Sequence, residues 1–197
     1  MQPTPFQLSI PGWFHRSEFA ALDKLLHEFD PTKPHIFLEI GSYYGRSTST
    51  FIPHLHTNPH AHLICVDSYD EFSPDDSLKG LRHLHELFAG ECLLHQVSFL
   101  HLSTRSDVFQ RGLYDLLRRI PPNEIDLAFI DGRHDADSVC ADINLVLPLL
   151  APGATLCGHD FTGPHANTVR AGISASRLPQ DEVRPAGKAL WVYHLPH

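Results

Sequence analysis

Five short apolar runs constrain this 197-residue chain more than anything else in it: HIFLEI (35–40), AHLICVD (61–67), CLLHQVS (92–98), IDLAFID (125–131) and ATLCGHD (154–160). Each is apolar at most positions rather than at alternate ones, the pattern of a strand buried on both faces. Stretches of 20 or more residues separate them, several with helical spacing. In 137–150, for example, Val139, Ile143, Val146, Leu147 and Leu150 fall on one side. Strands alternating with helices predict an α/β fold, a parallel sheet covered by helices on both faces. A further apolar run, ALWVYHL (189–195), closes a segment (181–196) that reads as a hairpin turning near Gly187. It predicts an antiparallel pair at one edge of the sheet.

Ahead of the first strand, Phe14, Phe19, Leu22, Leu25, Leu26 and Phe29 recur every three or four residues, predicting an amphipathic helix over 12–29. DPTKP (30–34) stops it. Residues 1–34 thus read as a helical segment covering the cleft and 35–197 as the main body, one domain overall. The polar, Pro-containing stretch 68–80 reads as a loop inserted over the cleft.

Composition excludes several classes. A net charge of −8 argues against nucleic-acid binding, which needs clustered Lys and Arg. No run of 18 apolar residues suggests a membrane-spanning helix, and the N-terminus lacks the basic and apolar regions of a signal peptide. Cys65, Cys92, Cys140 and Cys157 form no C-x-x-C pair, and Cys65 and Cys157 sit in strand patterns. They read as reduced core thiols of a cytoplasmic protein. Of the 16 histidines, His54, His56, His60, His62, His83 and His85 read as solvent-facing.

In open α/β sheets, ligands bind beyond the carboxyl ends of the strands. Here those ends are polar: Glu39 before Gly41, then Asp67, Ser98, Asp131 and the pair His159-Asp160. Gly41 and Gly45 permit positive φ and close approach of a ligand, but their G-x-x-x-G spacing is not the G-x-G-x-x-G of a pyrophosphate-binding turn. Asp67, 22 residues beyond Gly45, is placed to accept ribose hydroxyls. The loop suits an adenosine without a diphosphate. Asp160 as a turn cap, His134 bonding loop backbone and His165 as a plain loop residue are the bland alternatives. Arg46 reads as facing solvent, and Ser47 as capping the following helix or helping to hold an anion.

FLEIGSYYGRSTS, LICVDSY, IDLAFIDGRHDADSVCADINLVLPLLAPGATLCGHDF and GKALWVYHL, spanning nearly all of 36–195, resemble the class I S-adenosylmethionine-dependent methyltransferases. The closest likeness is to small O-methyltransferases of the catechol and macrocin type. The resemblance implies a doubly wound, mostly parallel seven-stranded sheet with an antiparallel C-terminal edge hairpin. It implies S-adenosylmethionine as cofactor, held by Glu39, Gly41, Ser42, Tyr43, Gly45, Ser47, Asp67, Ser98 and Asp131, with Glu39 and Gly41 on the methionine part, Asp67 on the ribose and Ser98 beside the adenine. It also implies a divalent metal on Asp131, His159 and Asp160. The sequence departs from the family at Arg133, where an acid is common, and at His159, which replaces an oxygen ligand. Two carboxylates fit Mg²⁺; adding His159 favours Mn²⁺, Fe²⁺ or Zn²⁺. Adjacent strand residues point to opposite faces, so His159 and Asp160 share a metal only if the chain turns there.

The expected reaction is methyl transfer to a hydroxyl of a small molecule, with Asp131, His134 and His159 as catalytic residues. Either the metal activates the acceptor, or His134 or His159 acts as general base. The alternative is a binding or regulatory protein that has lost catalysis. The acceptor pocket is expected from Pro11 to Phe14, the 68–80 loop and the 161–168 loop, with Trp13, Phe14, Tyr69 and Phe72 as aromatic walls. A short chain leaves little for a lid, which is compatible with a homodimer completing the site.

Overall fold

The computed structural model describes residues 2–67, 74–101, 107–119 and 124–197. Seven strands, β1 (His35–Ile40), β2 (Ala61–Asp67), β3 (Val97–His101), β4 (Ile125–Ile130), β5 (Leu150–Gly158), β6 (Arg184–Ala186) and β7 (Leu190–His194), form one sheet in the order β3-β2-β1-β4-β5-β7-β6. The first five are parallel; β7 runs antiparallel to β5 and β6. The expected α/β architecture and the C-terminal edge hairpin are both present.

Side-chain alternation builds the two layers. Ile36, Leu38 and Ile40 of β1 join Val139, Ile143 and Val146 of α6 (Ala136–Val146) and Val169 and Ile173 of α7 (Ala166–Ala175). Leu113 and Leu117 of α5 (Asp107–Leu117) complete that face. Phe37, between them in sequence, points the other way. It meets Phe19, Leu22 and Leu26 of α2 (Arg16–Leu26), Leu55 of α3 (Ile52–Thr57) and Leu84 and Phe88 of α4 (Pro74–Gly90). Every residue of β1 is therefore buried, as its unbroken apolar pattern requires.

Chain order reverses across β1, whose neighbours β2 and β4 carry the chain to opposite sides. At such a switch point the following loops diverge and leave a crevice. The loops after β1 and β4 nevertheless begin in contact, where Asp131 N–H donates to the Ile40 carbonyl (2.8 Å); on the other side of β1, Gly41 N–H donates to the Val66 carbonyl of β2 (2.8 Å). Gly41 has φ +92°, and a Cβ there would lie 2.0 Å from the Asp131 carbonyl oxygen. The glycine is needed for strand ends to meet.

Several expectations shift. The helix expected over 12–29 spans only Arg16–Leu26 (α2), and a separate short helix, α1 (Pro5–Ser9), precedes it across an irregular stretch at residues 10–15. The Thr4 and Gln7 capping box starts α1. The stretch 68–80 is not all loop, since α4 begins at Pro74; Tyr69 and Phe72 lie outside the described residues. The helix read over 137–150 ends at Val146, gives a 3-10 turn through Pro148, and Leu150 opens β5. The third strand starts at Val97 rather than Cys92, because residues 94–96 form another 3-10 turn. Cys65 and Cys157 are buried free thiols, while Cys92 is exposed. Among the described residues no helix is long and apolar enough to cross a membrane.

Gly41→Ala is expected to destabilise the fold by roughly 2–5 kcal/mol, summing left-handed strain and the backbone clash. Urea unfolding checks this; a loss under 1 kcal/mol would mean that the β1 and β4 ends part without cost.

Candidate active site

A cavity of ≈ 690 Å³ opens at the carboxyl ends of β1, β2, β4 and β5, within the size range of small-molecule sites. Its first wall is the loop after β1. Gly41, Ser42, Tyr43 and Ser47 line it, and Asp67 stands across from them at the end of β2. Asp67 Oδ2 accepts the Tyr43 N–H at 2.7 Å, which holds Tyr43 in a left-handed turn (φ +46°).

Glu39 does not line the cavity. It is fully buried beneath the loop, where Ser47 Oγ donates to Oε1 (2.6 Å) and the Thr48 hydroxyl to Oε2. Burial pushes its carboxyl up to about 7, against the pull of those hydroxyls. Glu39 therefore braces the loop from below. Ser47 serves it rather than capping the next turn, whose N-cap makes no side-chain bond. Gly45 (φ +89°) packs against Leu84 and Leu87 of α4 and is also a fold residue. Ser98 is the second residue of β3 rather than its last: it pairs with Ile64, and its hydroxyl lies 2.9 Å from His62 Nε2, away from the cavity. Arg46 points inward, not to solvent. Its Nη1 donates to the Gly12 carbonyl (2.6 Å), and its buried Nε has no hydrogen-bond partner among the described residues.

The opposite wall is a network of imidazoles and carboxylates. Asp131 follows β4; His159 and Asp160 follow β5, where Asp160 adopts φ +56°. That turn is the one the sequence reading required for both side chains to face one point. His159 Nδ1 lies 3.4 Å from Asp131 Oδ1 and 3.2 Å from Asp160 Oδ2. His134 Nε2 lies 3.0 Å from Asp160 Oδ2 and 3.6 Å from Asp131 Oδ1. Burial opposes charge on His159, yet Asp131, Asp160 and Glu18 push it up to about 12. Hydrogen bonds to Asp131 and Asp160 push His134 up to about 10. Burial works against charge on Asp160 too, but His134 and His159 hold it well below the usual carboxylate range. Both shifts favour the protonated, hydrogen-bond-donating imidazole over the neutral form that a general base requires. Asp131, His134 and Asp160 bring one donor atom each to within 4.8 Å of one another, a set able to hold a divalent cation.

Two participants were not legible in sequence. Glu18, buried on α2, brings Oε2 to 3.7 Å from His159 Nε2 and accepts the His15 N–H. His165, read as a plain loop residue, stacks on His134 with ring centres 4.5 Å apart. Residues 11–15 roof the space. Phe14 packs on Phe129 and His159, while Trp13 stacks on Tyr43 (5.7 Å) and stays 68% exposed.

The methyltransferase-domain family matches residues 38–161, the span holding both walls. The chain belongs to that family. No curated protein matches it significantly. Among solved structures it resembles CalS11, a TDP-rhamnose 3'-O-methyltransferase of calicheamicin biosynthesis, with 18% identity over 98% of this chain and 86% of that one, TM-score 0.67. An O-methyltransferase from Bacillus cereus in complex with SAH gives 16% over 98% and 92%, TM-score 0.61. The O-methyltransferase TomG from Streptomyces achromogenes, in complex with SAM, gives 17% over 90% and 81%, TM-score 0.58. At these identities the structures establish a shared fold.

The raised histidines set a pH dependence. The folded methyltransferase domain keeps protons that the unfolded chain releases near pH 6.5, so this stabilisation is complete below that value and is lost as pH rises through about 10 and about 12. Chemical denaturation from pH 7 to 10 should show falling stability, and a shallower fall in His134→Gln.

Proposed function

We propose that this methyltransferase-domain protein moves a methyl group from S-adenosylmethionine to a hydroxyl oxygen of a small molecule. One observation carries the reading: a nucleoside-type wall and an imidazole–carboxylate wall face each other across one cavity. The residues fit the cofactor. Gly41, Ser42 and Tyr43 bring backbone to the cavity, Asp67 stands where ribose hydroxyls need an acceptor, and Arg46, which also lines the cavity, brings a positive charge suited to the aminoacyl carboxylate. The cofactor supplies an electrophilic methyl group.

The chain supplies position and charge. Trp13, Phe14 and His165 wall the acceptor side and hold the hydroxyl in line, an arrangement worth roughly 7–11 kcal/mol of barrier in favourable cases. Protonated His159 and His134 stabilise negative charge growing on the acceptor oxygen. The hydroxyl proton goes to Asp131, which lines the cavity beside both imidazoles. A divalent cation held by Asp131, His134 and Asp160 would add Lewis acidity toward the same oxygen. Its mixed nitrogen and oxygen donors suit Mn²⁺ better than Mg²⁺.

Titration calorimetry with S-adenosylmethionine tests the cofactor half. Wild-type protein should bind, and Asp67→Ala should bind roughly 10- to 100-fold more weakly; absence of wild-type binding sinks the proposal. For the transfer half, a panel of catechols and sugars is assayed with and without EDTA. Asp131→Asn should lower turnover at least about 100-fold, and EDTA-sensitive turnover restored by Mn²⁺ would assign the metal-assisted variant.

A further inference from the structure

Some 16 histidines in a chain of this length ask for an explanation beyond the cleft. His54, which reads in sequence as solvent-facing, lies mostly buried against the other side of the N-terminal helix. Its Nε2 is 3.0 Å from Asp23 Oδ1, and His27 Nδ1 is 3.4 Å from the same oxygen. The two rings meet edge to face with centres 4.7 Å apart. Asp23 itself is only 4% exposed, an unusual position for a carboxylate on a helix of a small domain.

We propose that Asp23, His27 and His54 form a binding site for Zn²⁺ or a similar borderline cation, separate from the cleft. The spacing supports it on three counts. Asp23 and His27 stand at i and i+4, which puts both side chains on one face of the helical turn that α2 ends with. His54 comes from α3, so the third donor crosses between elements. One donor atom from each residue lies within 4.8 Å of the others, as ligands around a single ion must. Two imidazoles and one carboxylate select Zn²⁺, Ni²⁺ or Cu²⁺ over Mg²⁺ or Ca²⁺. His27, 59% exposed, leaves the outer side open to a water as fourth ligand. Its Nδ1 also contacts the Asp23 carbonyl oxygen at 2.7 Å, a bond that metal binding replaces.

The position gives such an ion a consequence. Helix α2 carries Glu18, which reaches His159, and α3 follows the glycine loop that holds Tyr43. An ion joining Asp23 to His54 ties the two cleft walls together from behind, and binding only the folded chain it raises the unfolding temperature.

The test is calorimetric titration of EDTA-treated, dialysed protein with Zn²⁺ alone, on wild type, His27→Gln, His54→Gln and the double variant Asp131→Asn/Asp160→Asn. The proposal expects a tight site that persists in the double variant and weakens at least about 100-fold in each histidine variant. The zinc-induced rise in unfolding temperature should disappear with it. His27 is exposed enough that its substitution leaves the fold intact, which circular dichroism verifies. A tight site that survives both histidine substitutions, one lost from the double variant, or none in the wild type would each overturn the proposal.

Discussion

Everything the cleft does depends on how closely the ends of β1 and β4 approach. The Asp131 N–H extends the ladder to the Ile40 carbonyl, and only a residue without Cβ fits at position 41. Had the strands ended further apart, the loop bearing Ser42 and Tyr43 would not stand opposite Asp131. Gly41 looks in sequence like a concession to a ligand. In the fold it is first a concession to the neighbouring strand, and ligand access follows from the same missing atom.

Charge balance is the second constraint. Glu18, Asp131 and Asp160 converge on His159, and Asp131 and Asp160 also on His134; these carboxylates raise both imidazoles against the cost of burial. Three carboxylates in one cleft would repel one another without the two imidazolium ions between them. This explains why a histidine at position 159 is tolerable where the family resemblance leads one to expect an oxygen ligand. The carboxylates around the ring favour its cationic form. A bound metal would have to displace a proton from His134 to coordinate its nitrogen, so metal and proton compete for the same place.

Much of the fold was legible because burial on both faces leaves an unmistakable apolar pattern. Strands β1, β2, β4 and β7 fall within a residue of where their runs place them, and the strand-end rule led to Asp67, Asp131, His159 and Asp160. The misreadings share one cause. Leu93 and Leu149 are buried, but the backbone at Leu94–Gln96 and Leu147–Leu149 is a 3-10 turn. Periodicity reports burial, not backbone geometry, so the third strand was read early and Ser98 was assigned to the wrong end of it. Glu39 and Gly45 do not line the cavity, since a glycine loop must be braced and packed as well as open.

Glu18, Arg46 and His54 were beyond sequence reasoning because their roles arise between elements distant in the chain. Arg46 reaches back 34 residues to the Gly12 carbonyl, and His54 reaches 31 to Asp23. Both contacts attach the N-terminal segment to the region after β1, on opposite sides of α2. That segment lies outside the residues the family match covers, yet it supplies the cleft's roof and, in Glu18, one of its carboxylates. The division of labour follows. The strand ends bring Asp67, Asp131, His159 and Asp160 to one cavity, while the segment ahead of β1 adds Glu18 to its charge and closes it with residues 11–15. Phe14 ties that roof to the sheet through Phe129, so the shape of the cavity depends on how the segment packs on β4.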